Sequence, residues 1–263
     1  MNYQELCEAS LPIVKQAGAF IKEQVGKVRQ GDIEEKALNS LVSYVDRKAE
    51  QLLVKGLQTL LPDATFLTEE ETVQQTTGTW QWIIDPLDGT TNFLHQLPVF
   101  SVSVALRHQE QLVLGIVYEV NQEECFYAWR GGGAYLNGKR IRVTATEKLA
   151  NSLIATGFPY YDYEKTDKYL EVLKYFIKNT RGVRRFGSAA VDLAYVACGR
   201  FDAFYEYSLN AWDVAAGILL VQEAGGQVSD FRGGDDYLFG KEMIASNQGV
   251  FEVVKDFVRN TFS

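Results

Sequence analysis

The chain has only two histidines, His95 and His108, among its 263 residues. Zinc sites assembled from several imidazoles are therefore hard to build. Cysteine is nearly as scarce: Cys7, Cys125 and Cys198 form no Cys-x-x-Cys pair, and an odd number leaves no disulfide framework. A reducing cytoplasm is the expected setting. No run of roughly 18 apolar residues is present, and the N-terminus lacks a signal-peptide pattern, so no membrane partner is expected. Basic charge is short too, with 26 Lys and Arg against 34 Asp and Glu, a net charge of −8. That balance repels nucleic-acid backbones, and no direct nucleic-acid contact is expected. It also sets a condition on any phosphate ligand: a bound cation must bridge it to an acidic protein.

Apolar residues make up 46% of the chain, enough for one large domain or two tightly packed ones. Residues 1–145 read as an α+β half. An amphipathic helix spans Tyr3–Val25, with Pro12 expected to kink it. Gly26–Val45 reads as irregular and charged, and Asp46 opens a second helix that Pro62 stops. Strands follow at Ala64–Thr68, Trp80–Ile84, Phe100–Arg107, Leu112–Glu119, Cys125–Arg130 and Arg140–Val143, with Asn137-Gly138 as a hairpin turn. Short turns between them predict a large, mostly antiparallel sheet. Residues 146–263 read as an α/β half. Its strands are Leu153–Thr156, Phe201–Tyr207, Gln227–Phe231 and Met243–Ser246. Its helices are Asp167–Asn179, Ser188–Cys198, Asp213–Ala224 and Gly249–Phe262. No repeat or linker separates the halves, so they are expected to share a large interface.

The informative segment is Trp82-Ile83-Ile84-Asp85-Pro86-Leu87-Asp88-Gly89-Thr90-Thr91-Asn92-Phe93. An apolar strand ends at Asp85, Pro86 ends regular pairing, and Asp88-Gly89 signals a turn. Two carboxylates three residues apart thus sit on a tight loop. Gly89 lets the backbone approach a ligand, and neighbouring N–H groups can cradle an anion. Two aspartates and two threonines suit a hard cation such as Mg²⁺. The ordinary alternative is a polar β-turn. A second acidic patch is Thr68-Glu69-Glu70-Glu71, elsewhere usually a solvated charge run. A third is Trp212-Asp213-Val214-Ala215-Ala216-Gly217, where Asp213, like Asp46, can be read as a helix N-cap. Together they place four acidic sites at element ends, where ligands of a shared metal site arise.

These strings resemble the two signatures of the inositol monophosphatase family, within the superfamily that includes fructose-1,6-bisphosphatase. Glu223-Ala224-Gly225-Gly226, Gly187-Ser188-Ala189-Ala190, Tyr195-Val196-Ala197 and Asp202 extend the resemblance. The resemblance implies a layered α/β/α/β/α sandwich, a homodimer and lithium inhibition. It implies Mg²⁺, two ions and up to three, on Glu69, Asp85, the Leu87 carbonyl, Asp88 and Asp213. It assigns catalysis to Glu69, Thr90 and Asp46, with Thr90 and Asp46 positioning the attacking water. It assigns the phosphate to the Gly89 and Thr90 N–H groups, the substrate's alcohol side to Ala189, Glu206, Asp88 and Asp213, and a substrate-binding place to Ser188. Thr68 stands where the family often has glycine, and Lys36–Val45 is shorter than in animal members; both bear on the third ion and on lithium.

The expected reaction is in-line attack of water on a phosphate monoester, without a phosphoenzyme. No Cys-x5-Arg loop is present, and Asp85 has no Asp-x-Asp partner. Inositol and sugar monophosphates lead as substrates, because the Glu206 carboxylate suits hydroxyl donors and repels a second phosphate. Nucleotide 3′-phosphates, histidinol phosphate and fructose bisphosphate remain open on the same site. A different class is a regulatory binding module for transcription or ribosome machinery. Three other features take structural readings: a turn at Arg130-Gly131-Gly132-Gly133, a solvated edge or dimer contact at Arg184-Arg185, and core packing for Phe201, Phe204, Tyr205 and Tyr207.

Overall fold

The computed structural model describes residues 2–37, 40–159 and 163–263. Helices α1 (Tyr3–Gln24) and α2 (Tyr44–Leu60) flank a hairpin of β1 (Ile33–Ala37) and β2 (Ser40–Ser43). Part of the Lys36–Val45 segment lies outside the described residues. The hairpin corrects the expectation of an irregular 26–45 region: its strands are only five and four residues long and β1 is charged, so no apolar alternation marked them. α1 runs unbroken through Pro12. Pro12 is on the exposed face, so water can satisfy the carbonyl its ring leaves without a donor.

Seven strands follow: β3 (Thr65–Thr68), β4 (Trp80–Asp88), β5 (Ser101–His108), β6 (Gln111–Glu119), β7 (Glu124–Trp129), β8 (Gly133–Leu136) and β9 (Lys139–Ile141). They pair in sequence order into one sheet, antiparallel except for the β3–β4 pair. A short helix, α3 (Thr90–Leu94), leaves the end of β4. The rest of the chain supplies β10 (Leu153–Thr156), α4 (Thr166–Asn179), β11 (Gly182–Arg184), α5 (Ala189–Ala197), β12 (Ala203–Tyr207), α6 (Ala211–Glu223), β13 (Gln227–Ser229), β14 (Glu242–Ser246) and α7 (Phe251–Phe262). Its five strands form a second sheet in the order β11-β10-β12-β14-β13. Strands β8 and β11 were not expected from the sequence; each is too short to show a period.

Period-two patterning stacks these elements into five layers. On β4, Trp82 and Ile84 face α1 and α2, while Ile83 faces α5 and α6. On β12, Phe204 faces α5 and α6, while Tyr205 and Tyr207 face α4 and α7. The order is α1/α2, large sheet, α5/α6, small sheet, α4/α7, an α/β/α/β/α sandwich. α5 is buried all round, as a helix between two sheets must be. Gly115 on β6 lets α6 come close: a Cβ there would meet the Ala216 carbonyl oxygen at 2.7 Å. No helix among the described residues is long and apolar enough to cross a membrane.

Candidate active site

The site lies where β4 ends between the two sheets. Strand β4 does not stop at Asp85 but continues through Pro86 to Asp88. Asp85 pairs with Ser103 and Asp88 with Ser101, so three steps on β4 face two on β5. That extra residue is a β-bulge, which tolerates the missing proline N–H. It also has a chemical result. In a regular strand, residues three apart point to opposite faces. The bulge restores both aspartates to the face that looks at α5 and α6. Their β5 partners confirm that face: Ser101 Oγ lies 3.3 Å from Ser188 Oγ, and Ser103 Oγ donates to the Trp212 carbonyl at 3.2 Å.

Each neighbour is held by a local device. The Ser188 hydroxyl and the Ala190 N–H donate to Asp88 Oδ2 at 2.6 and 2.7 Å, so the N-terminus of α5 points at this carboxylate. Glu69 follows β3, with its N–H on the Ile84 carbonyl at 3.2 Å. The loop after it is tied by buried Glu50, which accepts from the Glu70 N–H and from the Thr72 N–H and hydroxyl. Asp46 and Asp213 are not N-caps. Ser43 and Asn210 hold those positions, and each aspartate lies three residues on, accepting the backbone N–H of Ser43 (2.9 Å) or Asn210 (2.7 Å). The Thr90 hydroxyl is 3.0 Å from both Asp46 Oδ1 and the Leu87 carbonyl oxygen. Gly89 is in the left-handed region at φ 94°, and a Cβ would meet the Val99 and Gly187 carbonyls at 3.0 and 3.2 Å. Thr90 and Thr91 begin α3, so their N–H groups have no intrahelical acceptor.

One cavity is lined by Glu69, Asp85, Leu87, Asp88, Gly89, Thr90, Ser188, Ala189, Glu206 and Asp213. Every expected site residue except Asp46 is on its wall, and Asp46 stands behind Thr90. The same wall contains Asp192, Arg185 and Gly157, which the sequence reading did not place there. Arg185 corrects the reading of Arg184-Arg185 as a solvated edge. Asp192 had a visible signal: it is an acid in the otherwise apolar run Ala189–Ala197. In the Gly131-Gly133 turn the Gly131 and Gly133 N–H groups donate to the Glu223 carboxylate, each at 2.8 Å.

The cluster is electrostatically frustrated. Burial, and then the charges of Glu69, Asp88 and Asp213, raise the Asp85 carboxyl well above the ordinary range. Burial pushes Asp88 up to about 6 against the Ser188 hydroxyl, the α5 N–H groups and Arg185. Burial and then the Asp88 charge push Asp213 up to about 7. Among the described residues, no three Asp, Glu, His or Cys side chains are already spaced as ligands of one ion. Asp85 instead hydrogen-bonds the side chains of Glu69 and Asp213. Carboxyl groups this close share protons when no cation is among them. The donors are all hard oxygens and what they lack is positive charge, so they fit a hard divalent cation.

Over residues 2–258 the chain matches the inositol monophosphatase family. It is 41% identical to an inositol-1-monophosphatase of Mesorhizobium japonicum, across 100% of this chain and 99% of that one. It is 40% identical to the Nus factor SuhB of Pseudomonas aeruginosa, across 95% and 94%. Among solved structures, the extragenic suppressor protein suhB of Bartonella henselae superposes with a TM-score of 0.91 at 40% identity, covering 96% of this chain and 97% of that one. The Thermotoga maritima IMPase gives 0.88 at 34% identity, covering 96% of each. On sequence and fold alike, the chain belongs to the inositol monophosphatase family and is a phosphatase.

Proposed function

We propose that the protein hydrolyses inositol or sugar monophosphates with Mg²⁺, by direct attack of water, as a homodimer. The family is metal-dependent, and the hard-oxygen donor set supports Mg²⁺. Glu69, Asp85, the Leu87 carbonyl, Asp88 and Asp213 would hold two ions. When bound, the metal supplies the charge that acidifies water and offsets the phosphate and the departing alkoxide.

The rest falls to the chain's own groups. The Gly89 and Thr90 N–H groups cradle phosphate oxygens at the start of α3. The Thr90 hydroxyl accepts the attacking water's proton while passing its own to Asp46 Oδ1, 3.0 Å away. Ser43 holds the other Asp46 oxygen through its N–H and hydroxyl at 2.9 and 2.8 Å, which fixes the acceptor's direction. Among the described residues no cysteine or histidine lines the cavity, which favours water over a covalent route. The Thr90–Asp46 contact beside the carboxylate cluster is the observation that carries the reading. Phosphate release from inositol 1-phosphate in Mg²⁺ and in EDTA tests it. Activity that survives EDTA removes the metal reading, and an acid-stable aspartyl phosphate trapped in a single turnover removes direct attack.

A second reading draws on the relatives named Nus factor SuhB, 39–40% identical to this chain. It makes the chain a protein partner as well. A pulldown unchanged by Asp88→Asn supports it independently of catalysis, and loss of binding in that variant counts against it.

A further inference from the structure

Buried acids elsewhere in the fold are satisfied. Glu50 accepts three hydrogen bonds from Glu70 and Thr72. Glu119 accepts the N–H groups of Asn121 and Gln122, and Asp202 accepts the Thr144 hydroxyl and the Leu153 N–H. Asp192 is different. It is 1% exposed on the first turn of α5, and its Oδ1 has no hydrogen-bond partner. An orphaned buried carboxylate oxygen carries an unrecovered desolvation penalty and calls for an explanation. Asp192 lines the cavity, so a ligand can supply the missing donor.

Its surroundings define that donor. Glu206 projects from the end of β12 into the same cavity and is 6% exposed. Its charge is the largest one acting on Asp192. Gly157, after β10, makes room for Glu206: a Cβ there would fall 2.0 Å from Oε1. Arg185 is the cation of this wall and acts on Asp88, Asp192 and Glu206 together. Its guanidinium lies 5.3 Å from the centre of the Phe158 ring, which steadies it. Two carboxyl groups share this wall with one guanidinium, and burial raises both acids well above the ordinary range. Such a wall offers acceptors to hydroxyl donors and no spare cation to a second phosphate or a carboxylate.

We infer that Asp192 is a specificity-determining residue of the alcohol side, taking one hydroxyl of a polyol monophosphate while Glu206 takes another. The inference rests on the phosphatase reading above and deepens it: the substrate class is a monoester whose alcohol carries at least two further hydroxyls. Arg185 keeps the carboxylate pair oriented and does not hold an anion of the substrate.

The test compares inositol 1-phosphate with p-nitrophenyl phosphate, whose leaving group has no further hydroxyl, both with Mg²⁺. In Asp192→Asn, the ratio of the two kcat/KM values should fall about tenfold or more, the usual worth of a hydrogen bond to a charged group. An unchanged ratio, whether through equal losses or none, overturns the assignment. Mono-deoxy analogues of inositol 1-phosphate supply a second arm that needs no variant. With the wild-type protein, removal of either of two different hydroxyls should each lower kcat/KM about tenfold. Sensitivity to one hydroxyl alone overturns the pairing of Glu206 with Asp192. A wild-type protein inert toward both esters removes the phosphatase reading, and this inference with it.

Discussion

The frustration of the carboxylate cluster makes the metal-free protein sensitive to pH in a definite direction. Asp213 is raised from 3.8 to about 7, and Asp88 from 3.8 to about 6. An acid whose folded pKa lies above its unfolded value holds its proton more tightly in the fold. Its contribution to stability is intact below pH 4 and is lost as pH climbs towards the folded pKa. For Asp213 the loss is about 4 kcal/mol at most, because part of its surface stays open to the cavity. Between pH 5 and pH 8 about 3 kcal/mol of this is lost, so at roughly 2–4 °C per kcal/mol for a chain of this size the EDTA-treated protein should melt roughly 5–10 °C lower at pH 8 than at pH 5. Mg²⁺ at a hundred times its dissociation constant adds about 2.7 kcal/mol and should restore much of that difference. Asp213→Asn isolates the cause: its amide oxygen can still accept the Asn210 N–H, yet it cannot ionise. In EDTA its advantage over the wild type should be larger at pH 8 than at pH 5. Differential scanning fluorimetry across pH 5–8 reads all three curves. Identical EDTA slopes for the two proteins, or melting indifferent to Mg²⁺, would refute the reasoning.

Three further outcomes follow from single contacts. Thr90→Ala should lower kcat about 10²–10³-fold while Thr90→Ser keeps most of it, since the serine hydroxyl can still reach Asp46; equal losses in steady-state assays would remove the proton relay. Gly157→Ala should displace the Glu206 carboxylate and raise KM for inositol 1-phosphate more than for p-nitrophenyl phosphate; equal changes would detach Glu206 from the alcohol side. Burial raises all three thiols, pushing Cys125 up to about 11, so a disulfide reagent at pH 8 should titrate at most the partly buried Cys198 before denaturant is added and three thiols after; rapid native reaction at Cys7 or Cys125 would contradict the packing of α1 on the large sheet.

What was legible in the sequence had strong local chemistry. The apolar runs of β4 to β6, buried on both faces, and the helical spacing of α2, buried on one, survive in the fold. Local chemistry also misled. Pro86 reads as a strand breaker, but a bulge absorbs it, and a bulge shows only when the partner strand is known. Asp192 was passed over, and Arg185 was read as a solvated edge or dimer contact, because their meaning lies in how α5 and the segment before it are aligned with β12. That alignment comes from packing against two sheets and leaves no periodic trace. The Gly131-Gly133 turn was placed correctly as structural, although its internal carboxylate partner, Glu223, is 90 residues away.

Reading Asp46 and Asp213 as helix-capping residues or as site residues set up a false choice. At Asp46, Oδ2 takes the N–H and hydroxyl of Ser43 while Oδ1 takes the Thr90 hydroxyl. At Asp213, Oδ2 takes the Asn210 N–H while the side chain also hydrogen-bonds Asp85. One carboxylate thus closes the first turn of its helix and faces the chemistry. The economy is physical: a capping acid has a fixed rotamer, so its second oxygen is aimed without further cost. The helix N-terminus behind it tolerates negative charge, which helps an acidic protein collect still more acids around one cavity. This dual use decides which substitutions inform. Asp→Ala at either position breaks the capping box together with the site group, and confounds the two. Asp→Asn keeps an acceptor for the backbone and deletes only the charge, so a variant that folds and no longer turns over assigns the free oxygen to catalysis.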